Sequence, residues 1–461
     1  MRRTIVAVFA IMAAIFSVFA ATSLKAATIY QSTSGTSSWG TAANWSPATV
    51  PNAVGDNATF NNAASGSNPA QTGNRTATLD GAKTIGSLNL NADAANTFTN
   101  TISTGTGGPL TFDEAGSGPA TIVTNGPGTG NNTISVAMVF NDDVVATVNQ
   151  QNTASGALSL NLTGAISGAG GFTKNGDGGA TFGTGTKTYT GATVLNGGRL
   201  RSSTTAQPSA TSSFTINSGG QLNPISNGTY TLGTGPLNLN GAGPTSGQFS
   251  AFPGAIRPDT GLVLTITNAT VLQSDVVIHS QSSAGTGSIT LSGTVGGPGK
   301  LIAGSTPHDA NVGQIILGGT AGNTYSGGSE VVAGALVAGA TSVNAFGTGD
   351  VTIDTPSSGA SAILQILAGA VNSIADSATL LIGTGGAKAD LGTGIHDYIS
   401  GLWLGGTQQF ALGTYGSTAS GADFQNNDYF SGTGVVHLVP EPSSVMLLFV
   451  AAIGLLIRRQ R

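Results

Sequence analysis

The chain has 461 residues, of which 71 are glycine and none is cysteine, and only 8% are charged. Glycine is at roughly twice its usual 7% and charge at roughly a third of its usual 25%, which, with 39% hydrophobic residues, argues against simple disorder. Six of the 15 basic residues lie in the first 25 and last four positions, leaving nine against 20 acids. No basic stripe exists to neutralise phosphates, so a nucleic-acid partner is not expected, and the lack of cysteine excludes disulfides, thioether haem and thiolate metal sites.

Arg2 and Arg3 precede an apolar run from Ile5 to Ala20, then a polar step from Thr22 to Lys25 and Ala26-Ala27. The pattern predicts a secretory signal peptide over 1–26, cut after Ala26. Thr4-Ile5-Val6 lack the rest of a twin-arginine pattern, so export of an unfolded chain is expected.

Over 27–150 the sequence predicts an N-terminal cap and the first rungs of a stack of strands. Trp39 and Trp45, set among small polar residues, are expected to cover the open edge of that stack; sugar stacking is the alternative for either. Short alternating runs follow, such as Thr76–Asp80, Ile85–Leu90, Val144–Val148, Leu158–Leu162 and Leu262–Thr267, separated by Gly, Asn, Ser and Pro corners.

Within 151–360 two stretches, about 165–201 and 294–337, are copies of one another. Ile166-Ser-Gly-Ala-Gly-Gly-Phe172 leads to Thr188-Tyr-Thr-Gly191 and Gly198-Arg-Leu200, as Val295-Gly-Gly-Pro-Gly-Lys-Leu301 leads to Thr324-Tyr-Ser-Gly327 and Gly334-Ala-Leu336. The second copy carries an extra loop around Thr306–Asn311. A repeat that tolerates a loop between fixed strands predicts a solenoid, in which each rung touches only its neighbours. The expected fold is all-β, a parallel β-helix or β-solenoid, with Val, Ile and Leu inside and Thr, Ser and Asn laddered between rungs. At roughly 20–25 residues per rung the body would have about 16–20 rungs and a length of about 80–95 Å. Ala360–Ala370 reads equally as a short helix or a fully buried strand. Residues 361–438 are expected to supply the last rungs and a closing segment.

The two copies resemble the autotransporter-associated β-strand repeat, also called the passenger-associated transport repeat. The resemblance implies a parallel β-helix outside the cell. Gly347–Ile353 looks like the strand that follows such a repeat, and Gly413–Thr418 and Asp428–Gly434 resemble the closing segment of proteins that join these repeats to a sorting signal. One departure matters: where an autotransporter has a membrane barrel, an arginine tail stands here, so self-export is not expected.

That tail, 439–461, reads Pro440-Glu441-Pro442, then Ser443-Ser444, an apolar run from Val445 to Ile457 and Arg458-Arg459-Gln460-Arg461. As a single hydrophobic helix the run would rise roughly 20 Å against a hydrocarbon core of about 30 Å, a marginal span that snorkelling arginines extend. The arginines favour the cytoplasmic side, leaving the body outside. In residues, order and position the tail resembles the PEP-CTERM sorting signal, which implies recognition by an exosortase-type enzyme near Pro440, Glu441 and Pro442, with membrane attachment before processing. An ordinary tail anchor is the alternative.

Few residues in the chain have the type and spacing of a chemical site. Asp142-Asp143 are adjacent and would face opposite sides of a strand, which makes a solvated turn the expectation; Asp350, Asp354 and Glu330 read as solubilising charge. His279, His308, His396 and His437 have no ligand spacing. His308-Asp309 and His396-Asp397 lack a serine on a nucleophile elbow. Asn175-Gly-Asp-Gly-Gly179 resembles a calcium turn but occurs once, where β-rolls need tandem copies. The expectation is therefore no catalytic, metal or cofactor site. The expected role is that of an exported structural or adhesive protein of the cell surface or extracellular matrix, which the resemblance associates with extracellular polysaccharide. The alternative is a polysaccharide-binding or polysaccharide-degrading β-helix using Trp403, Tyr398 or Trp39 as stacking platforms.

Overall fold

The computed structural model describes residues 27–61, 69–91, 98–126, 130–149, 158–282, 286–305, 312–356 and 360–439. Nearly every regular element is a short strand whose side chains alternate between buried and half-buried, as in Arg75–Asp80, Val144–Val148 and Ala362–Ile366. The period of two follows from the pleat, which sends successive side chains to opposite faces. Here the inward set is mostly apolar, with a few buried polar residues such as Arg75 and Lys174, and the outward set is mostly Thr, Asn and Ser. Ala362–Ile366 thus resolves the ambiguity at Ala360–Ala370: it is a strand, half-buried rather than fully buried because Ile363 and Gln365 face outward.

The strands stack in parallel, level upon level. One ladder runs through Thr28–Tyr30, Asn57–Phe60, Ser87–Asn91, Ala120–Asn125, Val144–Val148, Phe172–Asn175, Thr193–Leu195, Phe214–Ile216, Leu237–Gly241, Thr270–Ile278, Leu301–Ala303, Ser329–Val331, Val351–Ile353, Thr379–Ile382 and Gly401–Leu404. Those fifteen levels among the described residues span about 70 Å at the usual strand spacing. The rod is shorter than the expected 80–95 Å because the corners carry loops, so each level consumes more chain than a minimal rung.

Two eight-stranded parallel sheets form further faces, one from Gly35–Ser38 to Gly220–Pro224 and one from Gly228–Tyr230 to Phe430–Gly432. A shorter four-stranded sheet comprises Lys83–Ile85, Leu110–Phe112, Met138–Phe140 and Ile166–Gly168. The long strand Thr270–Ile278 is where the faces change over. Its first residues pair with Leu237–Leu239 and Val295–Gly296, its last three pair with Leu301–Ala303, and the exposed Gln273–Asp275 turn the corner between them. Ile256 bridges Leu222 and Ile278, so the second face of the amino half flows into the main ladder of the carboxyl half.

The two sequence copies fold alike on either side of this seam. The Tyr189 hydroxyl lies 2.7 Å from the Thr193 hydroxyl, and the Tyr325 hydroxyl lies 2.6 Å from that of Ser329, all four buried. In both, the threonine before the tyrosine donates its N–H to the first strand of the copy, Thr188 to the Ile166 carbonyl and Thr324 to the Val295 carbonyl. Gly168 and Gly297 share a left-handed φ of +116° and +105°. A Cβ on Gly170 or Gly299 would lie 1.9 Å from the Asp142 carbonyl oxygen or 1.8 Å from that of Ser274. Tight corners of this kind account for much of the glycine.

Between levels, side-chain amides stack: Asn196 donates to Asn175 at 2.8 Å and Asn217 to Asn196 at 2.7 Å. The core aromatics do likewise, Phe112 against Phe140 and Phe140 against Phe172. At the amino end Tyr30, Trp39, Trp45 and Phe60 form one buried plug. Both indole N–H groups are satisfied, Trp39 by the Pro51 carbonyl at 3.0 Å and Trp45 by the Trp39 carbonyl at 2.7 Å. Trp39 is therefore no sugar platform; its faces are covered by other rings. The single hydrophobic helix expected within 439–461 lies outside the described residues, and among the described residues no helix is long and apolar enough to cross a membrane.

Candidate functional site

Ala26, Pro440, Glu441 and Pro442, the expected processing residues, lie outside the described residues, as do His308 and Asp309. Several of the acids are dispersed along the corners, where they accept backbone N–H groups from neighbouring levels. Asp142 accepts from Glu114 at 2.6 Å, Asp143 from Gly171 at 2.7 Å, Asp275 from Lys300 at 3.0 Å and Asp350 from Thr379 at 2.8 Å. Glu330 pairs with Lys300 at 2.9 Å. These carboxylates hold rungs together and do not converge.

The Asn175–Gly179 turn already encloses a cation. The Lys174 ammonium donates to the carbonyls of Gly176, Gly178 and, at 2.7 Å, Gly197. Burial pulls this lysine down to about 7, with Asp177 opposing, and pulls Lys187, which donates to Gly164 and Gly185, down to about 8. Sequence reasoning missed both, because a lysine on an alternating strand looks like a solvated charge until its register is known.

His396 and Asp397 are neighbours that point apart. His396 is exposed, whereas Asp397 is buried and accepts the N–H groups of Ser373 and Ile374. Burial raises the Asp397 carboxyl to about 6. Among the described residues no group of three or more His, Asp or Glu side chains is arranged to hold a metal ion.

Two places do gather unusual side chains. The first is at the seam. Arg199, Arg201 and Arg257, three of the body's nine basic residues, lie near one another, and Arg199 and Arg257 sit over the rings of Phe249 and Phe252. The Arg199 guanidinium carbon lies 4.3 Å from the Phe249 ring centre and 5.4 Å from that of Phe252, and Arg257 lies 4.9 Å from Phe252. Arg199 donates through Nε to Gln221 at 2.7 Å, and Gln221 in turn donates to the Phe252 and Gly254 carbonyls, pinning the loop that carries both rings. Asp259 pairs with Arg201 at 2.6 Å. Arg257 donates to Gln281. A groove of about 530 Å³ opens here, lined by Phe252, Arg257, Asp259, Thr260 and Gln281. Burial, then the nearby Arg257 charge, lowers Arg199 to about 10. Three guanidiniums with one carboxylate make this cluster a local concentration of positive charge in an otherwise acidic body, although of the three only Arg257 lines the groove, together with Asp259.

The second place is the carboxyl end, where His396–Ile399 pairs with Val435–Leu438. His396 Nδ1 and His437 Nε2 lie 3.0 Å apart, and Tyr398 stacks on the His437 ring at 4.7 Å between centres. Burial and the adjacent His396 lower the His437 pKa, against the pull of Asp423. The histidines are 41 positions apart; only strand register unites them. Trp403 sits half-buried on the last ladder strand, away from this pair in register.

Residues 438–461 match the family model described as the PEP-CTERM protein-sorting motif. No curated protein and no solved structure matches the chain. The motif marks an exported protein with transient membrane association, whose carboxyl end is processed by exosortase.

Proposed function

We propose that the body is a structural or adhesive β-solenoid of the cell surface or extracellular matrix, acting through its shape after processing at Pro440-Glu441-Pro442. The observation that carries this reading is one continuous parallel ladder from Thr28 to Leu404 leading into a sorting motif at residues 438–461. Dispersal of the acids over rung corners supports a non-enzymatic role, and the matching glycine and tyrosine geometry of the two copies supports their kinship with autotransporter-associated strand repeats. Fractionating cells that express the chain with or without the tail after Val439 tests the reading. The intact chain is expected to yield a shortened surface or released product, and persistence of full-length protein in the inner membrane would contradict it.

The seam groove favours a second reading, recognition of an acidic extracellular polysaccharide. Carboxylated sugars suit the Arg257 guanidinium set beside the exposed Phe252 face, with the Arg199 and Arg201 charges behind it. Binding of the body to oligogalacturonate, weakened about tenfold by Arg257→Gln and absent for neutral dextran, is the expected outcome. Release of reducing ends or unsaturated products from any polysaccharide would replace both readings with an enzymatic one.

A further inference from the structure

The carboxyl end of the rod exposes large apolar side chains that a water-facing surface has no need of. Phe410 is 78% exposed and Leu412 58%, and Phe424 and Tyr398 are also exposed. They are held in place. The Tyr415 hydroxyl donates to the Ala411 carbonyl at 2.7 Å, fixing the segment between Phe410 and Leu412, and Phe424 stacks on Tyr415 at 4.8 Å between centres. Phe424 also borders Gly413, next to Leu412: a Cβ on that glycine would lie 3.2 Å from the ring.

Register puts this rim beside the exit of the chain. Gly413 pairs with Leu438, and the Val439 N–H donates to the Ile399 carbonyl at 3.1 Å, so Leu412 flanks the point where the sorting motif leaves the rod. Five residues then separate Val439 from Val445, where the apolar run begins, so six residue steps join the two. Even fully extended they reach no further than about 20 Å. While the motif's apolar run is in the bilayer, the rim beside Val439 is therefore within one short tether of the lipid surface.

We infer that Phe410, Leu412 and Phe424 form a membrane-seating rim, which inserts into the headgroup and acyl boundary during the attached stage and holds the Pro440–Pro442 site at the bilayer surface. The occupant of this surface is lipid. Aromatic and aliphatic side chains on a fixed edge suit the interfacial zone where aromatic rings accumulate. The inference rests on the membrane association that the sorting motif marks.

The full chain has no cysteine, so single labelling sites introduce no background. Phe410→Cys, Leu412→Cys, Phe252→Cys on the mid-rod loop and Val450→Cys in the apolar run are each labelled with an environment-sensitive dye. Each full chain is reconstituted with phosphatidylcholine vesicles containing a spin-labelled quencher lipid. Labels at 410, 412 and 450 are expected to be quenched about twofold or more, and the label at 252 to be unaffected. Quenching at 450 with 410 and 412 behaving like 252 overturns the rim and leaves the sorting tail intact. No quenching at any position overturns both.

Discussion

At the amino end of the rod, aromatic residues are hidden: Tyr30, Trp39, Trp45 and Phe60 pack edge to face, and an antiparallel return, Trp45–Ser46 on Thr28–Tyr30, blocks further stacking. The carboxyl end is also closed by antiparallel returns, Thr407–Gln408 on Gly401–Leu404 and Gly413–Gly416 on Val435–Leu438. Yet it leaves Phe410 and Leu412 outside. Both ends meet the requirement that an open solenoid edge not template pairing with another chain. One end turns its large side chains into stability, and the other leaves them available to a partner.

If that contrast is right, substitutions at the two ends must differ in kind. Trp45→Ala should cost about 3–5 kcal/mol, because it empties a closed aromatic cluster and orphans the Trp39 carbonyl; denaturant titration of the body measures it. Between the ends, Gly299→Ala should cost about 2–4 kcal/mol, since its Cβ would collide with the Ser274 carbonyl oxygen, and Gly170→Ala should behave alike in the other copy. A large effect at one glycine and none at the other would break the equivalence of the copies. At the small end of the scale, Phe410→Ser should shift stability by less than about 0.5 kcal/mol while weakening vesicle association.

Stability should also depend on pH in two opposed windows. Asp397 titrates near 6 when folded and near 3.9 when unfolded. The folded chain thus holds the extra proton, and this contribution is full below about 4 and lost as pH rises through 6. Lys174 titrates near 7 when folded and near 10.4 when unfolded. The unfolded chain holds that proton, so stability recovers as pH rises from about 7 to 10. Thermal unfolding across pH should show Asp397→Asn flattening the acid side and Lys174→Met flattening the alkaline side.

Strand repetition, corner glycines and the Tyr189 and Tyr325 copies were legible because each is written locally, in spacing and residue type. The sorting tail was legible for the same reason. The seam arginines, the His396–His437 pair and the carbonyl-bound Lys174 were not, since each depends on which strands lie side by side. Arg199 and Arg257 stand on different levels with a loop between them, and no period in the chain predicts their meeting. Trp39 and Trp45 cover the open edge as their setting among small polar residues suggests, and only burial rules out the platform alternative, because a tryptophan among small residues reads the same whether it faces sugar or another ring.

The parallel ladder itself is tested most directly by paired cysteines in the cysteine-free body, bridged with a reagent that fluoresces only when both thiols react within a few ångströms of each other. Thr173 with Val194, and Thr352 with Leu381, are outward-facing register partners in the two halves of the rod. Both pairs should bridge efficiently, while Thr173 with Asn217, two levels away, should not. Failure of both register pairs in folded protein, or equal bridging of the distant pair, would contradict a rod of stacked parallel rungs.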